Sequence, residues 1–499
     1  MTHAFGELVG HRRTARAVAA GELPDHVHGL LTAGYRPALV AGHDDTTRLR
    51  AVYLFTHAGS DHRVELHVLL DRDAPQVPSL ADLSFPIGRF EREMRDLFGI
   101  VPADHPLPRR LVRHFHWPQG WYPMRVDAGD PPEFGDLDGP YPFRTVEGPG
   151  VYEIPVGPVH AGMIEPGHFR FSVVGETILN LKARLWFVHK GLEKLFQGRR
   201  PGEGVELAEC ISGDTAVGHA LAYCMAVEDA LGIPVPIAAR RDRALLLELE
   251  RLHNHVADIG ALCNDVGHGI LHAHAGRIRE RLLRVNEEVT GHRLLRGAIR
   301  PGTTALRAVP DAELLTATAL DVVEIVELAV GHSVVRDRFA GTARLTADQA
   351  ADLGVLGYVA RASGLTFDAR HDHPFIKPPL PRSEPSHAEG DVLSRFLVRV
   401  GEIQESVAWI SALLDADDDP EQGETAGAAL SGVGIVEGWR GTIVHRVELA
   451  GDGTLARVKI VDPSFFNWPA LPVALADTIV PDFPLVNKSF NLSYAGNDL

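Results

Sequence analysis

The sequence predicts an α+β protein, in which a small N-terminal α/β domain precedes a larger, mainly α-helical domain with peripheral β-strands. Two patterns predict this class. Short β-rich runs and one helix occupy the N-terminal part, whereas apolar stripes at helical spacing dominate the remainder. The chain of 499 residues is also too long for one ordinary core, so more than one domain is expected.

Residues 1–125 are predicted to form the small domain. Segment 51–70 contains two β-rich runs on either side of the turn-forming residues 58–61, which predicts a hairpin. Segment 85–100 predicts a helix that Gly99 ends. Opposite charges three or four residues apart are expected to support this helix, and they are Glu91, Arg92, Glu93 and Arg95.

The segment 126–150 is predicted to be a linker, because it is rich in proline, glycine and aspartate and has no apolar periodicity. The second domain is predicted to span residues 151–499. Its first part, 169–196, is ambiguous. An apolar stripe fits a helix, while Gly175 and Glu176 fit the turn of a β-hairpin.

Four later segments predict long helices that bury one apolar face each. They cover residues 215–231, 240–263, 311–332 and 391–414. The first of them is expected to end at Gly232. The tail from residue 435 to residue 499 alternates apolar and polar residues and contains many prolines, which predicts short strands and loops.

Composition excludes several function classes. A formal charge of −17 argues against nucleic-acid binding, which needs a basic surface. We find no apolar run of about 18 residues and no signal peptide, so a peripheral position is expected. Only three cysteines are present and none forms a CxxC pair, so no iron–sulfur ligand set exists. The spacing of a dinucleotide fingerprint is also missing.

Several motifs, taken together, identify a family. FEREMRDLFGI and HPLPRR resemble the C-type small peripheral subunit of respiratory complex I. Later segments resemble the D-type large subunit of the same complex and, more closely, the large subunits of energy-converting membrane-bound nickel–iron hydrogenases such as formate hydrogenlyase. These segments are GPVHAGMIEPGHFRF, FVHKGLEKL, HALAYCMAVEDALGIPVP, LLLELERLHNHVADIGALCNDVG, VTGHRLLRGAIRPG, LGVLGYVARASG and GDVLSRFLVRVGEIQES.

The resemblance covers almost the whole chain in the right order, and a fusion of the C-type with the D-type sequence is typical of the formate hydrogenlyase type. It implies strands through about Val188 and a helix from Lys190. It also implies an iron–sulfur small subunit and membrane antiporter-like subunits as partners, on the cytoplasmic side of the cell membrane. The clusters would belong to the partner, so this chain itself is expected to bind no cofactor.

The resemblance places the four nickel ligands at positions that contain no cysteine here. These positions are Ser212, Thr215, Ser493 and Gly496. Nickel in such centres needs soft thiolate ligands, and hydroxyl groups do not replace them. No metal is therefore expected at this site, and hydrogen activation is not the expected use of the scaffold.

Four other residues receive roles from the resemblance. Glu165 takes the place of the hydrogenase carboxylate that exchanges protons with the metal site, a role that suits a partly buried acid. His160 and His168 resemble histidines that line the quinone head-group site of complex I. Asp265 falls where complex I has an aspartate paired with such a histidine.

One part of the quinone pattern is missing. The tyrosine that complex I uses should fall near Gly213, and the residues available nearby are Ser212, Asp214, Thr215 and Tyr223. The leading hypothesis is a subunit that forms the acceptor cavity beside the iron–sulfur partner and supports quinone reduction, with Glu165, His168 and Asp265 as the catalytic residues. The alternative is a non-catalytic scaffold that couples an electron-transfer arm to membrane subunits.

Overall fold

A five-stranded sheet with two helices forms the N-terminal region. The structure, a computed structural model, describes residues 7–135, 137–162, 164–382, 387–416 and 429–499. The elements of this region are β1 (Glu7–Gly10), β2 (Arg13–Ala17), α1 (Leu23–Thr32), β3 (Arg36–Asp44), β4 (Leu49–His57), β5 (His62–Leu70), β6 (Gln76–Pro78), α2 (Phe85–Phe98) and β7 (Val101–Ala103). The sheet order is β1-β2-β5-β4-β3, with β2 and β5 parallel, and β6 pairs with β7.

The predicted hairpin and helix are confirmed. Strands β4 and β5 are antiparallel, and His57 pairs with His62 across the connection. Helix α2 ends at Gly99, which has a φ of 73°. A side chain there is also excluded by packing, because a Cβ atom would lie 2.6 Å from the ring of Tyr122.

The expected ion pairs within α2 are wrong. Glu91 accepts hydrogen bonds from Ser79 Oγ at 2.7 Å and from a backbone amide. Glu93 instead pairs with Lys459 at 2.7 Å, and Arg92 donates to two backbone carbonyls. The helix is largely buried, so its charges bind partners from distant segments instead of each other.

A three-stranded antiparallel sheet follows, and the strand interpretation of this segment is right. It contains β8 (Val151–Val156), β9 (His168–Val174) and β10 (Thr177–Arg184), in the order β10-β9-β8. Inward-facing residues of β9 alternate, with Phe169, Phe171 and Val173 almost fully buried. The strand ends earlier than expected, and the following helix α3 (Leu192–Leu195) is a single turn.

The helical part of the chain contains the four predicted long helices and one further long helix. Its elements are α4 (Gly204–Glu209), α5 (Ala216–Leu231), α6 (Ile237–Asp265), α7 (Gly269–Thr290), β11 (Ile299–Arg300), β12 (Thr303–Thr304), α8 (Ala312–Gly331), α9 (Ser333–Phe339), α10 (Ala347–Leu353), α11 (Gly357–Ala362), α12 (Ala369–Asp372) and α13 (Val392–Asp415). As predicted, α5 ends at Gly232 in a left-handed conformation. The α+β class is confirmed.

The tail contains strands, as expected, but its second half is helical. It comprises β13 (Ser431–Gly438), β14 (Gly441–Leu449), β15 (Leu455–Val461), α14 (Pro463–Asn467), α15 (Ala470–Ala474), α16 (Phe483–Phe490) and α17 (Tyr494–Asp498). The prediction of strands and loops to the end of the chain is therefore wrong. Prolines at the first turns of α14 and α16 do not interrupt these helices, because no backbone donor is needed there.

Strand β13 lies directly on α5. A Cβ atom at Gly432 would lie 2.0 Å from the carbonyl oxygen of Ala226, and one at Gly434 would lie 1.9 Å from that of Ala222. These glycines therefore permit close contact between a strand and a helix. The contact fixes the three-stranded sheet against the helix that begins at the candidate site.

Buried charges join the N-terminal sheet to β14. Glu65 on β5 is fully buried and lies 2.9 Å from Arg446 and 3.0 Å from Arg13. Apolar side chains of both regions also belong to one continuous buried cluster. Among the helices in the described ranges, none is long and apolar enough to cross a membrane.

Candidate functional site

The candidate site lies where the loop before α5 meets the start of α17. Ser212 Oγ and Ser493 Oγ are hydrogen-bonded at 2.8 Å, although 281 residues separate them in the chain. Ser493 is also the N-cap of α17 and accepts a hydrogen bond from the Gly496 amide at 2.9 Å. The structure therefore brings together the two segments that the sequence predicts to meet.

An ion pair holds the first of these segments. Arg440 binds both carboxylate oxygens of Asp214, at 2.6 and 2.7 Å. Although burial opposes ionisation, Arg440 holds the pKa of Asp214 well below its ordinary value. The hydroxyl of Thr215 donates to Asp214 and accepts from Trp439 Nε1 at 3.1 Å. Both hydroxyl groups of the loop thus have protein partners.

The fourth position is filled from the side by Asp462. A Cβ atom at Gly496 would lie 2.5 Å from Asp462 Cγ, so no side chain fits there. Asp462 Oδ2 lies 3.0 Å from His219 Nε2, and His219 Nδ1 lies 3.0 Å from His445 Nε2. Three buried polar side chains therefore form a hydrogen-bonded row that reaches Gly496 through Asp462.

The residues present do not fit a nickel–iron centre. Such a centre needs thiolate ligands, whereas this chain offers two serine hydroxyls that bind each other. A third hydroxyl, that of Thr215, receives hydrogen bonds from Trp439 and Arg440. The glycine at the fourth position leaves no room for a side chain.

Restoring the four cysteines is therefore expected not to restore nickel binding. Gly496→Ala alone should lower the free energy of unfolding by about 1–3 kcal/mol, because Asp462 has to move. Gly213→Ala is the matched control, since a Cβ atom added there would have no other atom within 4 Å. Chemical denaturation measures the difference. Metal analysis of the variant with cysteine at 212, 215, 493 and 496 should find no stoichiometric nickel, and one nickel per chain would contradict this interpretation.

Glu165 reaches the same helix but is not buried. Its Oε2 accepts a hydrogen bond from the Ala495 amide at 2.9 Å, one residue beyond Tyr494. The side chain itself is exposed. The expectation of a partly buried carboxylate is therefore wrong for this chain. Its hydrogen bond to Ala495 places Glu165 beside the candidate site, and its role there stays a prediction.

His160 also lies beside α17, whereas His168 is turned towards its own loop. The His160 ring lies 6.2 Å from the Tyr494 ring and 5.8 Å from that of Phe169, between centroids. Burial lowers the pKa of His160. His168 Nδ1 lies 3.2 Å from the carbonyl oxygen of Gly157. Of the two histidines, His160 is the one in contact with the site.

Asp265 is the last residue of α6 and has a different neighbour from the predicted one. Burial raises its pKa, and the charges that counter this rise are Lys488 and His272. The histidine that influences Asp265 is thus His272 on α7. The role of Asp265 at the acceptor site stays a prediction.

Tyr494 supplies a phenol at the site, although the sequence motifs did not indicate it. Tyr223, which the sequence offered, does not supply one. Tyr223 is fully buried and its hydroxyl donates to the carbonyl oxygen of Pro201 at 2.6 Å. Within the part of the chain that the structure describes, His160 Nε2 is buried and has no hydrogen-bond partner. Buried polar atoms normally have one, so His160, beside the ring of Tyr494, has capacity for a ligand. The sequence signal that could have indicated Tyr494 is its position directly after Ser493.

Two further acids near the site have pKa values close to neutrality. Burial raises the pKa of Glu250 to about 8, and its oxygens accept from the amides of Val217 and Gly218 at 2.7 and 3.0 Å. Burial raises the pKa of Asp498 on α17 to about 6. Glu250 lies near Asp214, whose charge contributes to the shift. Such groups can exchange protons at neutral pH.

Three known sequence families match successive parts of the chain. The family described as "Respiratory-chain NADH dehydrogenase, 30 Kd subunit" matches residues 19–131. "Nickel-dependent hydrogenase" matches residues 190–263, and "Respiratory-chain NADH dehydrogenase, 49 Kd subunit" matches residues 265–427. The order of these matches confirms the resemblance that the sequence motifs indicate.

Curated relatives and a solved structure agree with these matches. Hydrogenase-4 component G of Escherichia coli (strain K12) is 33% identical over 95% of this chain and 86% of its own length. Formate hydrogenlyase subunit 5 of the same organism is 32% identical over 90% and 82%. A chain of the membrane-bound sulfane sulfur reductase, an archaeal respiratory membrane complex, superposes with a TM-score of 0.63 at 25% identity, over 70% of this chain and 99% of that chain.

Proposed function

Because the chain belongs to the family of formate hydrogenlyase subunit 5 and hydrogenase-4 component G, we propose that it forms the acceptor site of a membrane-associated oxidoreductase. Electrons arrive from an iron–sulfur cluster in a partner small subunit and reduce a quinone beside α17, without nickel. Antiporter-like membrane subunits are the further partners, and the chain is held peripherally on the cytoplasmic side.

One observation carries this proposal: the positions expected for nickel are closed, while the buried His160 Nε2 beside them has no hydrogen-bond partner among the described residues. The neighbouring phenol is that of Tyr494, whose ring centroid lies 6.2 Å from that of His160. Burial raises the pKa of Tyr494, and a hydrogen bond with Asn487 offsets part of this rise. Each ring can donate a hydrogen bond to a carbonyl oxygen, as a quinone head group requires. Tyr494 takes the role that the sequence leaves empty at Gly213.

Protons for the reduced quinone come from the acids around the site. Glu165 is exposed and hydrogen-bonded to the amide of Ala495, so it can exchange protons with water. Asp498 and Glu250, whose burial raises their pKa values to about 6 and about 8, hold protons close to neutral pH. His168 and Asp265 are assigned supporting roles.

Quinone reduction by the intact complex tests the proposal. The complex is purified from its own membranes, supplied with a low-potential artificial donor, and assayed with a short-chain quinone. Tyr494→Phe is expected to lower kcat by about 100-fold, the effect of losing a hydrogen bond to the quinone oxygen on which negative charge develops. The variant keeps the ring against Trp468, whose centroid lies 4.8 Å away, so the fold is retained.

Tyr152→Phe is the matched control. Tyr152 lies on β8 and is exposed, and its hydroxyl donates to Gly175 O at 2.7 Å. It should keep full activity. Equal activity of the Tyr494 variant and the control would exclude Tyr494 as a hydrogen-bond donor to the quinone. Turnover that survives simultaneous changes at Glu165, His168 and Asp265 would favour the scaffold hypothesis.

A second candidate acceptor can be tested in the same assay. The solved relative is a sulfane sulfur reductase, so polysulfide can replace quinone in the reaction mixture. Reduction of polysulfide without reduction of quinone, in a complex whose clusters still become reduced, would assign a sulfur acceptor to this site and overturn the quinone proposal.

A further inference from the structure

A cavity of about 710 Å³ lies between α2, β10 and the segment after β7, and one of its lining residues, Trp468, also donates a hydrogen bond to Ser493 O. Six basic side chains line it, and none of the described lining residues is acidic. They are Arg89, Arg92, Arg109, Arg144, Lys182 and Arg184. The volume falls in the range of small-molecule sites. We call this space the arginine cavity.

The arginines of the cavity bind neutral acceptors. Arg92 donates to the carbonyl oxygens of Arg109 and Arg110 at 2.9 and 3.1 Å. Arg184 donates to the carbonyl oxygen of Arg113 at 2.9 Å, and Arg89 lies 3.5 Å from Asn497 Oδ1. Over the described ranges, no ion pair joins any of the five arginines to a carboxylate, whereas Lys182 pairs with Glu153 at 2.6 Å.

Burial makes this concentration of charge costly. Arg184 is 4% exposed and Arg92 is 7% exposed. Burial lowers the pKa of Arg89 to about 9 and that of Arg184 to about 10. Buried charges are normally paired. Nε of Arg89 and Nε of Arg109 are buried and lack a hydrogen-bond partner among the described residues. The cavity therefore has donors and positive charge that an anion would satisfy.

The shape of the side chains favours one kind of anion. A guanidinium group presents parallel N–H donors that match two oxygens of a phosphate. Backbone carbonyls hold Arg92 and Arg184 in place, so little further ordering is needed on binding. The side chains of Trp186 and Trp468 form an apolar part of the cavity wall beside the cations.

We propose that the arginine cavity binds a phosphate-bearing anion. The phosphate can belong to a soluble phosphoanion or to the head group of an anionic phospholipid, since the guanidinium contacts are the same for both. The test is a binding measurement with phosphate probes, so its outcome does not depend on the identity of the acceptor.

The first measurement is a calorimetric titration of the full-length chain with inorganic pyrophosphate. Arg89→Gln/Arg144→Gln removes two cations of the cavity and spares Arg184, which binds backbone carbonyls. This variant should bind at least about tenfold more weakly, as expected for lost charge-assisted hydrogen bonds. The matched control, Arg277→Gln/Arg336→Gln, removes two exposed charges elsewhere and should bind as the unchanged protein does.

Vesicle sedimentation distinguishes the two sources. Phosphatidylcholine vesicles with and without phosphatidylglycerol are mixed with the same three proteins. Pyrophosphate binding without selective sedimentation supports a soluble ligand, and sedimentation with phosphatidylglycerol that only the Arg89/Arg144 variant loses supports a lipid head group. The proposal is overturned if neither probe binds, or if both double variants weaken binding equally. If neither probe binds and the Arg89/Arg144 variant loses a copurifying subunit, the cavity receives an acidic protein surface instead.

Discussion

Glu402→Gln is expected to lower the free energy of unfolding by about 3–5 kcal/mol, the cost of breaking a buried ion pair. Glu402 is 4% exposed and lies 2.7 Å from Arg361, 2.8 Å from His255 and 3.3 Å from Arg251. Although burial opposes ionisation, the charge of Arg361 and the hydrogen bond from His255 hold the pKa of Glu402 well below its ordinary value. The substitution leaves two buried guanidinium groups without this counter-charge.

The effect of Glu402→Gln should extend to the candidate site. Arg251 donates to the carbonyl oxygens of Glu437 and Gly438 at 2.8 and 3.2 Å, at the end of β13. The next two residues are Trp439 and Arg440, which bind the loop that contains Asp214. Disorder around Glu402 would thus loosen the residues that close the nickel positions.

Urea denaturation of the purified chain measures this loss. Glu327→Gln is the matched control, since it removes the same charge from an exposed position on helix α8. It should change the free energy of unfolding by less than about 0.5 kcal/mol. If both variants unfolded at the same urea concentration, the buried network would not contribute as described.

A second large loss, again about 3–5 kcal/mol at neutral pH, is expected for Glu65→Gln. Glu65 is fully buried and binds Arg13, Arg446 and His67. Despite the opposing effect of burial, Arg446 and Arg13 hold its pKa well below the ordinary 4.5. The carboxylate therefore stabilises the folded chain above about pH 4.5, and this contribution is lost as the pH falls towards the folded-state pKa.

Stability measured as a function of pH tests this assignment. Glu65→Gln should be less stable at pH 7 and should lose less stability than the unchanged protein below about pH 4.5, because one titrating group is gone. Glu22→Gln, an exposed change in the same region, should follow the unchanged protein. An unaltered pH dependence in the Glu65 variant would show that this carboxylate does not drive acid unfolding.

Local patterns predicted the elements whose residues lie next to each other in sequence. The β4–β5 hairpin depends on a short turn, and the end of α2 depends on one glycine. The charges of α2 could not be assigned in this way. Glu93, for example, binds Lys459, which is 366 residues away and becomes a neighbour only through the fold.

The candidate site was predictable to the same extent. The family resemblance located Ser212 and Ser493, and the structure places them 2.8 Å apart. It did not identify Tyr494, because the contact of this side chain with His160 depends on how the loop between β8 and β9 lies on α17. Nor did the sequence indicate that Asp462 fills the space at Gly496, since that contact joins a strand end to the final helix.

Strand β14 has a consequence for exchanging parts between relatives. Successive side chains on a strand point to opposite faces, so His445 reaches His219 while its neighbour Arg446 reaches Glu65. If the N-terminal region came from a relative with another residue at position 65, Arg446 would lose its partner and change position. Because His445 is the adjacent residue of the same strand, its position would change as well. A chimera in which each half folds well can therefore still be distorted at the candidate site, because both halves bind side chains of the same strand.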